Sequence, residues 1–189
     1  MAPVAANADC LPAIEADLVQ MINQYRAQNG LAAVSASASL ATVARWHIWD
    51  LNTNHPDVGQ CNTHSWSHAR PDLWSAVCYT PDHAQAAGMW AKPREITGVY
   101  PSEGFEIAFG CSGCAATAQA AFDAWRRSAA HNDVLLNQGV WARLPWRAMG
   151  VSLGQGYAVA WFGASRDPAG ELSECQTQPD AIFQSDFEN

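Results

Sequence analysis

Residues 52 to 110 show almost no hydrophobic periodicity, yet they lie between segments that show a great deal of it. An aperiodic stretch this long inside a compact domain is uncommon unless it is functional or internally stapled. It holds four of the six histidines, several prolines, and cysteines at 61 and 78 that could form the staple. Whatever this chain folds into must carry a long excursion rich in polar and aromatic side chains between ordinary elements.

The flanking elements read clearly. Leu11, Ile14, Leu18, Ile22 and Tyr25 recur at intervals of three and four, which marks one helical face, and Asn29-Gly30 supplies the stop. A second helix is expected to begin at Ser37 or Ser39 as N-cap and to run to about Asn54, burying Leu40, Val43, Ala44, His47 and Leu51. A third is expected from about Ala115 to Ala129, burying Ala118, Ala121, Phe122 and Trp125. Ala148–Leu153 and Tyr157–Phe162 flank Gly154-Gln-Gly156, the pattern of a hairpin. The polar tail after Arg166 is expected to be partly disordered or draped on the surface.

With 189 residues, 49% of them hydrophobic, the chain can bury one sizeable core, so one domain with short tails is expected. No run of about 18 apolar residues is present, which argues against a membrane span. Net charge is −8, with nine arginines and the single lysine Lys92; such a surface repels phosphate backbones and argues against a nucleic-acid partner. Six cysteines, an even number without paired C-x-x-C zinc-knuckle spacing, point to disulfides and to a secreted or periplasmic protein. The expected bridges are Cys10–Cys175, Cys61–Cys78 and Cys111–Cys114, although the last is a C-x-x-C that could be redox-active. The opening Met1-Ala-Pro-Val-Ala-Ala has neither a basic nor an apolar region and is not expected to be a signal peptide.

Two segments bring histidine together with tryptophan and small polar residues: Cys61-Asn-Thr-His-Ser-Trp-Ser-His68 and Phe122-Asp-Ala-Trp-Arg-Arg-Ser-Ala-Ala-His131-Asn132. An acidic segment, Ser102-Glu-Gly-Phe-Glu-Ile-Ala108, lies between them. Two imidazoles and a carboxylate from separate elements can make an open divalent-metal site or a buried hydrogen-bond cluster. His64 and His68 would share a face in a helix, about 5–6 Å apart. In a strand they would stand about 13 Å apart, too far for one ion. His47 reads as a satisfied core histidine, and His55 and His83 as exposed loop residues.

The order of these motifs resembles the CAP superfamily, the cysteine-rich secretory, venom-antigen and pathogenesis-related group, in its bacterial form. The likeness spans about residues 14 to 165, leaving 1–13 as an extension and 166–189 as a tail. Met21-Ile-Asn-Gln-Tyr-Arg-Ala-Gln-Asn-Gly-Leu31 is similar to the family's first helix and Leu40–Leu51 to its second. Trp66-Ser-His68 resembles the aromatic-Ser-His element, Ala124–His131 with Asn132–Asn137 the tryptophan and Ser-Pro-Gly-His stretch, and Arg147–Leu153 the strand that follows. The resemblance implies an α+β fold, a three-layer α-β-α sandwich, with the irregular Cys/Trp/His-rich segment added. It also implies a cleft with two histidines, assigned to His68 and His131. The family's Gly-Glu-Asn-hydrophobic-Ala element falls on Gly104–Ala108, where Phe105 stands in the glutamate's place and the carboxylate, Glu106, comes one residue later. Either Glu106 reaches the site through a local backbone adjustment, or Glu103 substitutes.

The expected ligand set is therefore His68, His131, His64 and Glu106. Two neutral imidazoles, a carboxylate and water suit Zn²⁺ best, with copper and nickel also compatible. What the resemblance implies is a secreted binding protein for an extracellular lipid, glycan or peptide. The competing expectations are a metal-dependent hydrolase, with Glu106 or more naturally Glu103 as the base, and a structural module without metal.

Overall fold

A computed structural model describes residues 9–176. Helix α1 spans Ala13–Gln28 and α2 spans Ala38–Asn54. Two short helices follow, α3 over Ala86–Trp90 and α4 over Lys92–Thr97, and then strand β1 over Phe105–Gly110. Helices α5 (Ala118–Arg127) and α6 (Ala129–Leu135) precede the hairpin of β2 (Ala148–Gly154) and β3 (Tyr157–Gly163). The sheet is antiparallel in the order β1-β3-β2, which leaves β1 at an edge.

The strand alternation sorts the core into two layers. Ala108, Ala148, Val159 and Trp161 pack with Leu40, Val43, Ala44 and Leu51 of α2. Ile107, Met149, Val151, Ala158, Ala160 and Phe162 pack with Leu18 and Ile22 of α1 and Ala121, Phe122 and Trp125 of α5. Side chains two apart on a strand share a face, so one three-stranded sheet serves two cores and the result is an α-β-α sandwich. At Gly150 a β-carbon would lie 2.0 Å from the carbonyl carbon of Leu40, so only glycine lets α2 rest directly on β2.

Helix α2 is buried over more of its circumference than a single stripe. Beyond the five expected positions, Trp46, Ile48 and Asp50 are also buried. The cause is the aperiodic segment, which folds over the outer side of α2. Ser67 donates its backbone N–H and its hydroxyl to the Asp50 carboxylate, and Trp74 packs edge-on to Trp46. The same segment contains α3 and α4, too short for periodicity to reveal. It also buries Lys92, whose ammonium donates to the Ser75 carbonyl (2.6 Å) and to Glu95 (2.7 Å).

The third helix, α5, falls within the expected Ala115–Ala129 and ends at Ser128, which is extended (φ −87°, ψ 119°). Beyond it the sequence reading expected no helix, but a further one, α6, carries His131 at a new angle. The described part of the tail is anchored. Asp167 accepts hydrogen bonds from Ser37 Oγ, Ser39 N and Ser39 Oγ at the start of α2, and Leu172 donates to the Ala36 carbonyl. All three expected disulfides, Cys10–Cys175, Cys61–Cys78 and Cys111–Cys114, are formed.

Candidate ligand-binding cleft

Glu106 sits in unbroken register on β1, opposite Trp161 of β3, so the carboxylate reaches its place without a bulge. One residue's displacement on a strand reverses the face. Phe105 therefore goes to the side of Trp141 and Trp146, and the Glu106 carboxylate goes to the α2 side, where it is buried. There it meets two imidazoles: His47 Nδ1 at 2.5 Å on one oxygen and His64 Nδ1 at 2.7 Å on the other.

The hydrogen bonds fix the protons. His47 Nε2 lies 3.0 Å from the Ser65 carbonyl, which can only accept, so Nε2 carries hydrogen. Burial opposes the charged form of His47, but the Glu106 charge and hydrogen bond, with Ser65 and Asp50, raise its pKa overall. Burial likewise opposes ionisation of Glu106, and His47 and then His64 outweigh it, holding the carboxyl below its ordinary range. The result is a buried His47⁺–Glu106⁻ pair. An ionised Glu106 requires a hydrogen on His64 Nδ1, which leaves the His64 Nε2 lone pair as the acceptor. Trp66 stacks on His47 at 4.2 Å between centroids, and Tyr79 leans on His64 at 5.3 Å.

His64 and Glu106 form part of the wall of a cleft of about 760 Å³, with His131 of α6 also in its lining. Burial, and secondarily the nearby His64, lower the pKa of His131, so it is neutral at pH 7. Neither His131 nor His64 Nε2 has a hydrogen-bond partner among the described residues. Tyr79 and His83 extend the polar rim, joined by a 2.8 Å hydrogen bond between the Tyr79 hydroxyl and His83 Nδ1. His83 holds a left-handed backbone (φ 60°), unusual for a non-glycine residue. From this rim an apolar wall runs along Met89, Trp90, Phe105, Trp141 and Leu144.

Of the residues expected to form one site, the fold brings His64, His131 and Glu106 to this cleft. His68 is exposed and absent from the lining, because residues 61–70 form neither a helix nor a strand, and Trp66 alone bridges to Val77. Glu103 is half-exposed, 3.8 Å from Arg94, and also outside the lining. His47, read as a core residue, is indeed buried, but it is also the counter-ion of the site. His83 is an exposed loop residue, as expected, but it and Tyr79 also line the cleft, which the sequence signals only through their closeness to Cys78, whose bridge to Cys61 draws both arms to one place.

Among the described residues, no group of three or more His, Cys, Asp or Glu side chains is arranged to hold a metal ion. Glu106 has both oxygens engaged by imidazole N–H groups, so it stands behind His64 as an orienting partner. The side chains present do not fit a three-ligand zinc centre; they offer two imidazole edges.

Comparisons with known proteins agree with this architecture. An outer surface protein from Borrelia burgdorferi superposes with a TM-score of 0.50 at 17% identity, over 80% of this chain and 90% of that one. An extracellular protein containing an SCP domain from Bacillus anthracis gives a TM-score of 0.50 at 15% identity, over 77% of this chain but only 38% of the other. At these identities the likeness is one of fold. No curated protein matches the sequence. Residues 19–141, however, match the profile described as the cysteine-rich secretory protein family, and the chain belongs to that CAP family.

Proposed function

We propose that the protein is an extracytoplasmic binding protein whose cleft takes a neutral, hydroxyl-bearing amphiphile. The observation that carries this reading is the cleft's composition: an apolar wall continuous with His64 and His131, and no lysine or arginine in the lining. Glu106 is matched by His47, which leaves Asp133 as the unmatched charge of the lining and no cation there to receive a fatty-acid carboxylate or a phosphate. A hydroxyl can donate to His64 Nε2 while its apolar body lies along Trp90, Phe105 and Trp141. The volume falls within the usual range for small-molecule pockets, roughly 300–1,000 Å³. Three disulfides support an extracytoplasmic location.

Trp90 and Trp141 line the cleft, so intrinsic fluorescence reports occupancy. Titration with octyl glucoside or a monoacylglycerol should give saturable binding, and palmitate should not. Ala130→Trp, at an exposed position on the cleft, should abolish the signal without unfolding the protein. Equal binding by Ala130→Trp, or preference for palmitate, refutes the reading.

A second reading rests on the His64 Nδ1–H held by a buried carboxylate, an arrangement common behind metal-bound imidazoles. In it, His64 and His131 take a divalent ion whose remaining positions are filled by solvent. Zinc should then raise the melting temperature of the native protein but not of His131→Ala. Neither carboxylate expected as a base is free to act beside such an ion, since Glu103 lies outside the cleft and both Glu106 oxygens are engaged.

A further inference from the structure

The bridge between Cys111 and Cys114 differs from the other two in what it does for the fold. Cys10–Cys175 closes a separation of 165 residues and Cys61–Cys78 one of 17, whereas Cys111–Cys114 closes only 3. The constraint a bridge puts on the unfolded chain grows with loop length, so this one adds least to stability. It is also the most accessible: Cys114 is the one exposed cysteine of the six, and Ser112 and Gly113 beside it are exposed too.

The backbone on either side of the bridge is held independently of it. Cys111 N donates to the Gly156 carbonyl (2.8 Å) and Ala116 N to the Gln155 carbonyl (2.5 Å), which clamps the loop onto the β2–β3 turn. At Gly156 a β-carbon would lie 2.5 Å from the Cys111 carbonyl oxygen, so the loop rests against the turn with no room to spare. Just beyond, Thr117 caps α5 by accepting from Ala120 N (3.1 Å). These contacts hold the backbone on both sides of the bridge without help from the sulfurs.

We propose that Cys111–Cys114 is a thiol–disulfide exchange site, with Cys114 as the sulfur attacked by an incoming thiolate. The attacking thiolate forms a bond to Cys114 Sγ, and the Cys111–Cys114 bond breaks with its electron pair leaving on Cys111 Sγ, which takes a proton from water. A second thiolate then attacks the incoming sulfur and releases Cys114. Two thiols become a disulfide and the protein's disulfide becomes a dithiol. The partner chemistry is a thiol, either a small monothiol or a dithiol.

The test uses the full chain in buffers of graded reduced-to-oxidised glutathione, trapped with iodoacetamide and read by peptide mass spectrometry alongside circular dichroism. Cys111 and Cys114 should be alkylated at a ratio at least about tenfold less reducing than the other four cysteines, with the dichroism unchanged. In Cys111→Ser, glutathione should accumulate on Cys114. A parallel series with dithiothreitol, read against oxidised glutathione as a reference disulfide, separates the two sources: a preference for the dithiol over glutathione greater than the reference shows marks a dithiol partner, and one no greater marks a monothiol. Reduction of this pair together with or after the others overturns the proposal, as does a folded Cys111→Ser that forms no adduct. Should Cys111→Ser fail to fold, the graded-buffer result on the native chain decides.

Discussion

Replacing Glu106 tests the central arrangement most directly. Its carboxylate is buried with His47, which is wholly inaccessible, and each oxygen accepts from an imidazole. Glu106→Leu removes the acceptor and leaves His47 Nδ1 facing hydrocarbon. Breaking a buried ion pair from one side costs about 3–5 kcal/mol. For a domain of this size about 1 kcal/mol moves Tm by roughly 2–4 °C, so a fall of roughly 6–20 °C is expected. Glu106→Gln is the informative control. Its amide can donate to a neutral His47 Nδ1 and accept from His64 Nδ1–H, so every hydrogen bond survives and only the charge assistance goes, a loss of about 1–2 kcal/mol. The two variants should therefore separate clearly in urea unfolding followed by tryptophan fluorescence.

The pH dependence of that gap has a definite sign. Glu106 is lowered from 4.5, so its contribution is complete above that value and is lost as pH falls through the lower folded pKa. His47 is raised from 6.5, so its contribution is complete below that value and is lost as pH rises through the higher folded pKa. The stability gap between the native protein and Glu106→Gln should thus be greatest between pH 4.5 and 6.5 and should narrow as the solution becomes alkaline. A gap independent of pH, or a Glu106→Leu variant as stable as the native protein, would refute a charged pair.

Other perturbations give equally direct readouts. Gly150→Ala should destabilise the fold by about 3 kcal/mol or more, because its methyl meets the α2 backbone and not a movable side chain, and thermal melts would register it. Cys61→Ser/Cys78→Ser should cost about 3 kcal/mol from loop entropy. It should also weaken cleft binding in the fluorescence titration, since the arms it joins carry His64 and Tyr79. Lys92→Ala should cost about 2–4 kcal/mol in denaturant unfolding, from the cavity and from the Ser75 carbonyl left without its donor.

The parts of the fold legible in the sequence are those whose burial follows one period. Leu18 and Ile22 on α1, Leu40 and Leu51 on α2, and the alternation along the final hairpin all face the sheet, and the pattern says so. The end of the third helix near Ala129 was legible, but α6 beyond it was not, since seven residues are too few for a period to show. Nor could spacing choose between His64 and His68, because their segment is neither helix nor strand; its path is fixed by Asn62 N to the Tyr79 carbonyl, by Trp66 against Val77, and by the Cys61–Cys78 bridge.

The displaced carboxylate shows most plainly what periodicity can and cannot say. Strand alternation alone dictates that moving the acid from position 105 to 106 takes it off the Trp141–Trp146 side and puts it against α2. It does not dictate that α2 will present His47 there, since a histidine on an apolar stripe looks the same whether or not a charge lies opposite. That coincidence converts a would-be cleft-facing acid into a buried one, and with both oxygens taken Glu106 acts on the cleft only through His64. A His47→Leu/Glu106→Leu double variant should therefore recover much of the stability that Glu106→Leu alone loses, because a matched apolar pair leaves no orphaned charge. It should still lose hydroxyl-ligand binding, because His64 would no longer be held in one tautomer. Recovered stability together with undiminished binding would mean that His64 is oriented by something other than the carboxylate.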